Sequence, residues 1–133
     1  MLFIYLLEKN PAYFKTVQRV LERSYEREDQ LFTSYLGLGE VMAGAATSPV
    51  PRRAEEIRGL MDEMGFSYLP FGERSVGAFA YLRSVHRVKP ADAMNLACAS
   101  AAGIDLFLTG DEKLLKVHVA GVNFISSFET APL

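Results

Sequence analysis

The sequence predicts an α/β fold, with a parallel sheet layered between helices in a three-layer α/β/α arrangement. Two observations carry that expectation. Short apolar, β-prone runs alternate along the chain with longer stretches whose apolar residues recur at helical spacing. The joints between them are short turns punctuated by Gly and Pro, with no internal repeat, low-complexity segment or interdomain linker. Strand–helix alternation through short joints implies parallel strands, with crossovers covering both faces of the sheet. At 133 residues the chain is expected to form one domain around a single core.

Residues 1–7 are apolar and are expected to join the core. They end at Glu8-Lys9, lack the basic stretch and small-residue cleavage site of a signal peptide, and fall far short of the about 20 residues a membrane span needs. Asn10-Pro11 marks a helix start, with Pro in the first turn where its missing N–H does no harm. Phe14, Val17, Val20, Leu21 and Tyr25 then form an apolar stripe opposite Lys15, Arg19, Glu22 and Glu26.

Residues 31–36 are aromatic and β-prone and read as a strand. Gly37 and Gly39 loosen the backbone before a short helix carrying Glu40, Val41 and Met42. Residues 47–51 form a connector. A helix over 52–64 follows, with Ala54, Ile57, Leu60, Met61 and Met64 as its stripe and Gly65 as its C-terminal cap. Phe66–Leu69 is the next strand, ended by Pro70, and a helix over 72–85 leads into the basic run His86-Arg87-Val88-Lys89.

Asp92 is expected to open a helix whose Ala93, Leu96, Ala97 and Ser100 make one narrow face, stopped by Gly103. Residues 104–109 form a strand of central character, 111–117 a short helix and 122–126 a last strand.

Composition narrows the function. Half the residues are hydrophobic, 23% are charged, and the net charge is −2, so any polyanion must be held by a local basic patch. The single cysteine, Cys98, cannot form an internal disulfide; set among alanines, it reads as a small core residue, and the expected compartment is the cytoplasm. There is no Walker A loop, no dinucleotide fingerprint and no nucleophile elbow, and His86 has no partner histidines at zinc-ligand spacing.

Open parallel sheets bind ligands beyond the carboxyl ends of their strands. Three acids are expected at that edge: Glu40 after the strand 31–36, Asp111 after the strand 104–109, and Asp92 at a helix start. Crowded carboxylates raise one another's pKa, and a hard divalent cation reverses that cost. Mg²⁺ or Mn²⁺ held there could activate water for phosphodiester hydrolysis, with the Thr109 hydroxyl placed to orient it. Asp92 and Asp111 also suit helix N-caps, worth about 1 kcal/mol each, and Glu40 would gain from a helix dipole without any metal. Asn95, one turn beyond Asp92, could face the site. Arg83, Arg87 and Lys89 precede Asp92 and could meet a phosphate backbone or serve as a solvated connector.

The runs Ser34-Tyr35-Leu36-Gly37-Leu38-Gly39-Glu40, Pro90-Ala91-Asp92-Ala93-Met94-Asn95-Leu96-Ala97 and Leu108-Thr109-Gly110-Asp111-Glu112-Lys113-Leu114, in this order and spacing, resemble PIN-domain proteins of the kind found as the VapC-type toxin of toxin–antitoxin pairs. The resemblance covers essentially the whole chain. It implies a PIN-like α/β/α fold and Mg²⁺- or Mn²⁺-dependent ribonuclease activity on RNA. Glu40, Asp92 and Asp111 would be its second, third and fourth acids, catalytic and metal-binding, with Thr109 beside the last. It also implies a cognate antitoxin and a homodimer.

The resemblance further implies a hydrophobic strand ending in a first aspartate, ahead of a segment like residues 2–8. The reading over residues 1–133 is therefore a single PIN-like domain that is N-terminally incomplete, with Glu8 a poor substitute for that aspartate. The alternative is a catalytically impaired module that binds a protein partner without cutting nucleic acid. A receiver-like signalling domain would need an acceptor Asp after Phe66–Leu69, where Pro70-Phe71-Gly72-Glu73 stands instead.

Overall fold

The computed structural model describes residues 14–132. The expectations for residues 1–7, Glu8 and the helix start at Asn10-Pro11 fall outside that range, as does the side chain of Phe14. The elements are α1 (Phe14–Glu26), β1 (Leu31–Ser34), α2 (Tyr35–Ala46), α3 (Arg53–Glu63), β2 (Phe66–Leu69), α4 (Glu73–Ser84), α5 (Pro90–Ala102), β3 (Leu106–Thr109), a 3-10 turn (Glu112–Lys116) and β4 (Phe124–Ser127).

Among the described residues all strand pairing is parallel. Leu31 lies opposite Phe66 and Ser34 opposite Leu69, while Leu106 lies opposite Phe124 and Thr109 opposite Ser127. Among the described residues the strands form two two-stranded sheets rather than one continuous sheet. A cleft of about 1060 Å³ is lined by all four residues of β1 and all four of β3.

The three layers can be read from β3. Phe107 packs on the cluster built by Leu82 of α4 and Ala93 and Leu96 of α5, with Leu114, Val117 and Val119 below them. The next residue, Leu108, packs instead on Val17, Val20 and Leu21 of α1 together with Phe128. Adjacent strand residues point to opposite faces, so helices cover β3 on both sides. A third cluster joins Leu38 and Val41 of α2 to Ile57 and Met61 of α3, with Phe66 and Tyr68 of β2 packed against it.

Several expectations are corrected. The strand expected over 31–36 stops at Ser34, and α2 runs through both glycines from Tyr35. Ser34 is the cause: its Oγ accepts from the Gly37 N–H at 2.9 Å and caps the helix. Gly37 is suited to this turn, because a Cβ there would meet Thr33 Oγ1 at 2.5 Å.

Two positions of the predicted apolar stripes face solvent. Leu60 is exposed because Ile57 and Met61, four residues apart, already fill the buried line of α3. Tyr25 is exposed and donates its hydroxyl to the Met64 carbonyl at 3.2 Å. Ser24 is buried in its place, and its hydroxyl donates back to the Val20 carbonyl at 2.9 Å. Gly65 and Gly103 follow their helices at φ +86° and +71°, left-handed values that suit glycine at a helix end. Cys98 is buried, as expected, and burial pushes its thiol pKa up.

Candidate active site

Asp92 sits in the first turn of α5, not at its N-cap. Pro90 opens the helix, and Lys89 holds the cap position without a side-chain bond. Asp92 is therefore freed from the capping role that a carboxylate at a helix start usually takes. Its side chain is half-buried and lines the cleft between β1 and β3. Burial raises its pKa first, the Asp111 charge raises it further, and Lys89 pulls the other way.

Asp111 does cap. Its Oδ1 accepts from the Lys113 N–H at 2.9 Å, starting the 3-10 turn just past β3. Its own N–H donates to Thr109 Oγ1 at 3.0 Å. Thr109 is buried at the end of β3 and lines the cleft, whereas Asp111 lies outside the lining. With Oγ1 accepting from that N–H, the Thr109 hydroxyl keeps its proton available as a donor.

Glu40 projects from α2, exposed, and lines the same cleft as Asp92. The structure thus brings Asp92 within electrostatic reach of Asp111 and sets Glu40 and Thr109 in the wall that Asp92 shares. Among the described residues no group of three or more His, Cys, Asp or Glu is gathered closely enough to hold a metal ion. Of the candidate acids, it is Asp111 whose charge acts on Asp92.

The basic run divides by role. Arg87 and Lys89 are exposed just ahead of Asp92, with Arg87 at φ +53°. Arg83 is committed to the fold, since its Nη1 donates to the Val88 carbonyl at 2.9 Å. His86 Nε2 lies 3.1 Å from the Tyr81 hydroxyl.

One residue of the site was missed by sequence reasoning. Ser34 is buried, and its hydroxyl donates to Asn95 Oδ1 while accepting the α2 capping bond. Both residues line the cleft, so this contact ties the end of β1 to α5 one turn beyond Asp92. The available signal was a serine closing a β-prone run three residues before a glycine, the pattern of an N-cap.

Fold and site together define a parallel α/β domain with a carboxylate-bearing cleft running along β1 and β3. The chain belongs to the PIN domain family, whose model matches residues 2–119. PIN domains are generally nucleases that act on RNA or DNA, and they are often the toxins of toxin–antitoxin systems. A comparison with curated proteins finds no match. Among the described residues no helix is long and apolar enough to cross a membrane.

Proposed function

We propose that this protein is a metal-dependent endoribonuclease of the VapC toxin type, hydrolysing phosphodiester bonds of single-stranded RNA. The observation that carries the reading is the electrostatic pairing of Asp92 and Asp111. Burying one carboxylate in the field of another is unfavourable without a compensating cation.

The donor chemistry fits Mg²⁺ or Mn²⁺. All the candidate ligands are oxygens, and magnesium takes one or two carboxylates, completing its shell with water and substrate phosphate. Asp92 and Asp111 would hold the ion, with Glu40 reaching it through the cleft or through water. A bound ion supplies activated water and charge neutralisation at the leaving oxygen.

The chain's own groups do the rest. Thr109, its oxygen occupied by the Asp111 N–H, has a hydroxyl proton to offer an oxygen in the cleft. The Ser34–Asn95 bond holds the wall carrying Glu40 against the helix carrying Asp92. Arg87 and Lys89, exposed beside Asp92, would position the phosphate backbone without reading sequence. In this reading a homodimer, restrained by a cognate antitoxin, acts in the cytoplasm.

The test is cleavage of single-stranded RNA by purified protein with Mn²⁺. Asp92→Asn and EDTA should each abolish it, and cleavage that survives both would end this reading.

A second reading is favoured by one observation, the absence of a three-carboxylate cluster among the described residues. It makes the chain a PIN-fold module that binds an antitoxin-like protein and cuts nothing. Protein that binds no divalent cation by calorimetry yet still binds such a partner would select it.

A further inference from the structure

We propose that Tyr35, stacked beside Tyr68 with Arg58 over the Tyr68 ring, forms a platform for an unpaired base of the RNA substrate. The proposal rests on the nuclease reading above and extends it to how the substrate is held.

Tyr35 is the first residue of α2, directly after the Ser34 cap, and is 53% exposed. Tyr68 stands on β2 in register with Thr33, so the two rings lie side by side toward the carboxyl ends of β1 and β2. Their centroids are 5.7 Å apart at an interplanar angle of 37°. The Arg58 guanidinium carbon lies 5.8 Å from the Tyr68 centroid, within cation–π range.

The inner ring of the pair is fixed. The Tyr68 hydroxyl donates to Asp62 Oδ1 at 2.6 Å. Arg58 is exposed and makes no ion pair among the described residues. An aromatic pair with an open ring, beside a cation without an ion-pair partner, is the chemistry that binds single strands. Bases stack on such rings regardless of sequence, while the cation meets the phosphate.

The position suits that task. Ser34, one residue before Tyr35, lines the cleft and bonds to Asn95, a turn beyond Asp92. Tyr35 follows directly in the chain, just outside the cleft lining. Apolar residues exposed singly are ordinary; here two rings and a cation lie together one residue beyond the cleft wall.

The experiment uses the full chain and a short single-stranded RNA with the fluorescent base 2-aminopurine placed at successive positions. Binding is measured in EDTA and cleavage separately in Mn²⁺. One position should be quenched by the wild type, released by Tyr35→Ala and restored by Tyr35→Phe. Tyr35→Ala should bind about tenfold more weakly, the order of one lost stacking contact. An abasic nucleotide at the same position should weaken the wild type equally and leave Tyr35→Ala unaffected. In cleavage, Tyr35→Ala should raise KM and spare kcat.

Quenching without cleavage would keep the platform while removing the nuclease reading. Normal cleavage with no quenched position, or with Tyr35→Ala and abasic RNA indistinguishable from wild type, would overturn the platform alone. RNA that fails to bind, while Tyr35→Ala alters only association with protein, would also overturn it and assign the patch to a protein contact.

Discussion

Ser34 and Asn95, 61 positions apart in sequence, are joined by a hydrogen bond from the serine hydroxyl to Asn95 Oδ1. The same oxygen caps α2 by accepting from Gly37. One buried atom therefore ends a strand, starts a helix and binds that corner to the helix bearing Asp92.

Ser34→Ala should accordingly lose a cap and a buried hydrogen bond, costing about 1–3 kcal/mol of stability. Urea denaturation measures it, with Asn95→Ala completing a double-mutant cycle. Strictly additive losses would mean that the contact carries no coupling.

Asp92 provides a pH-dependent test. Its folded pKa is raised above the ordinary 3.8, so its contribution is most favourable when both folded and unfolded states are protonated, below that value. The contribution is lost as pH rises through the folded pKa. Asp92→Asn, neutral throughout, should therefore be more stable than wild type at neutral pH in EDTA, and the gain should shrink as pH falls toward 3.8. Denaturant midpoints across that window decide it; a variant less stable at neutral pH would contradict the raised pKa.

Divalent cation should act on the same pair in the opposite direction. Saturating Mn²⁺ at about 100 times its Kd should stabilise wild type by about 2.7 kcal/mol and leave Asp92→Asn nearly unmoved. Thermal melts with and without EDTA provide the comparison. Equal shifts in both proteins would place the ion elsewhere.

Tyr68 should titrate late. Partial burial, the hydrogen bond to Asp62 and the Asp62 charge together push its pKa up from 10.0 to about 12, against the opposing pull of Arg58. The sign is that of a raised folded pKa: the stabilisation is complete below 10.0 and disappears as pH climbs through about 12. Ultraviolet absorbance titration should show one tyrosine ionising after the rest, and Asp62→Asn should bring that step down.

Much of the domain was legible in local patterns. The strand–helix alternation, the Gly65 and Gly103 stops and the buried Cys98 all follow from residue spacing and turn chemistry, while the short helix expected over 111–117 is a 3-10 turn over Glu112–Lys116. The errors arose where a short-range pattern met a tertiary demand. The strand expected through Leu36 ends at Ser34 because that hydroxyl caps a helix. Leu60 and Tyr25 fit a helical period yet face solvent, since neighbours on the same turn had filled the packed line. For Arg83 the residue pattern left a phosphate contact and a connector role both open, and the fold adds a bond from its Nη1 to the Val88 carbonyl.

The string of residues by itself determined the fold class and nominated the acids, because periodicity, capping and turn preference act over a few neighbouring residues. Only the tertiary structure decided that Asp92 answers to Asp111 and that Ser34 reaches Asn95. Electrostatic coupling and hydrogen bonding act over a few ångströms, and which distant residues come that close is set by how the layers pack.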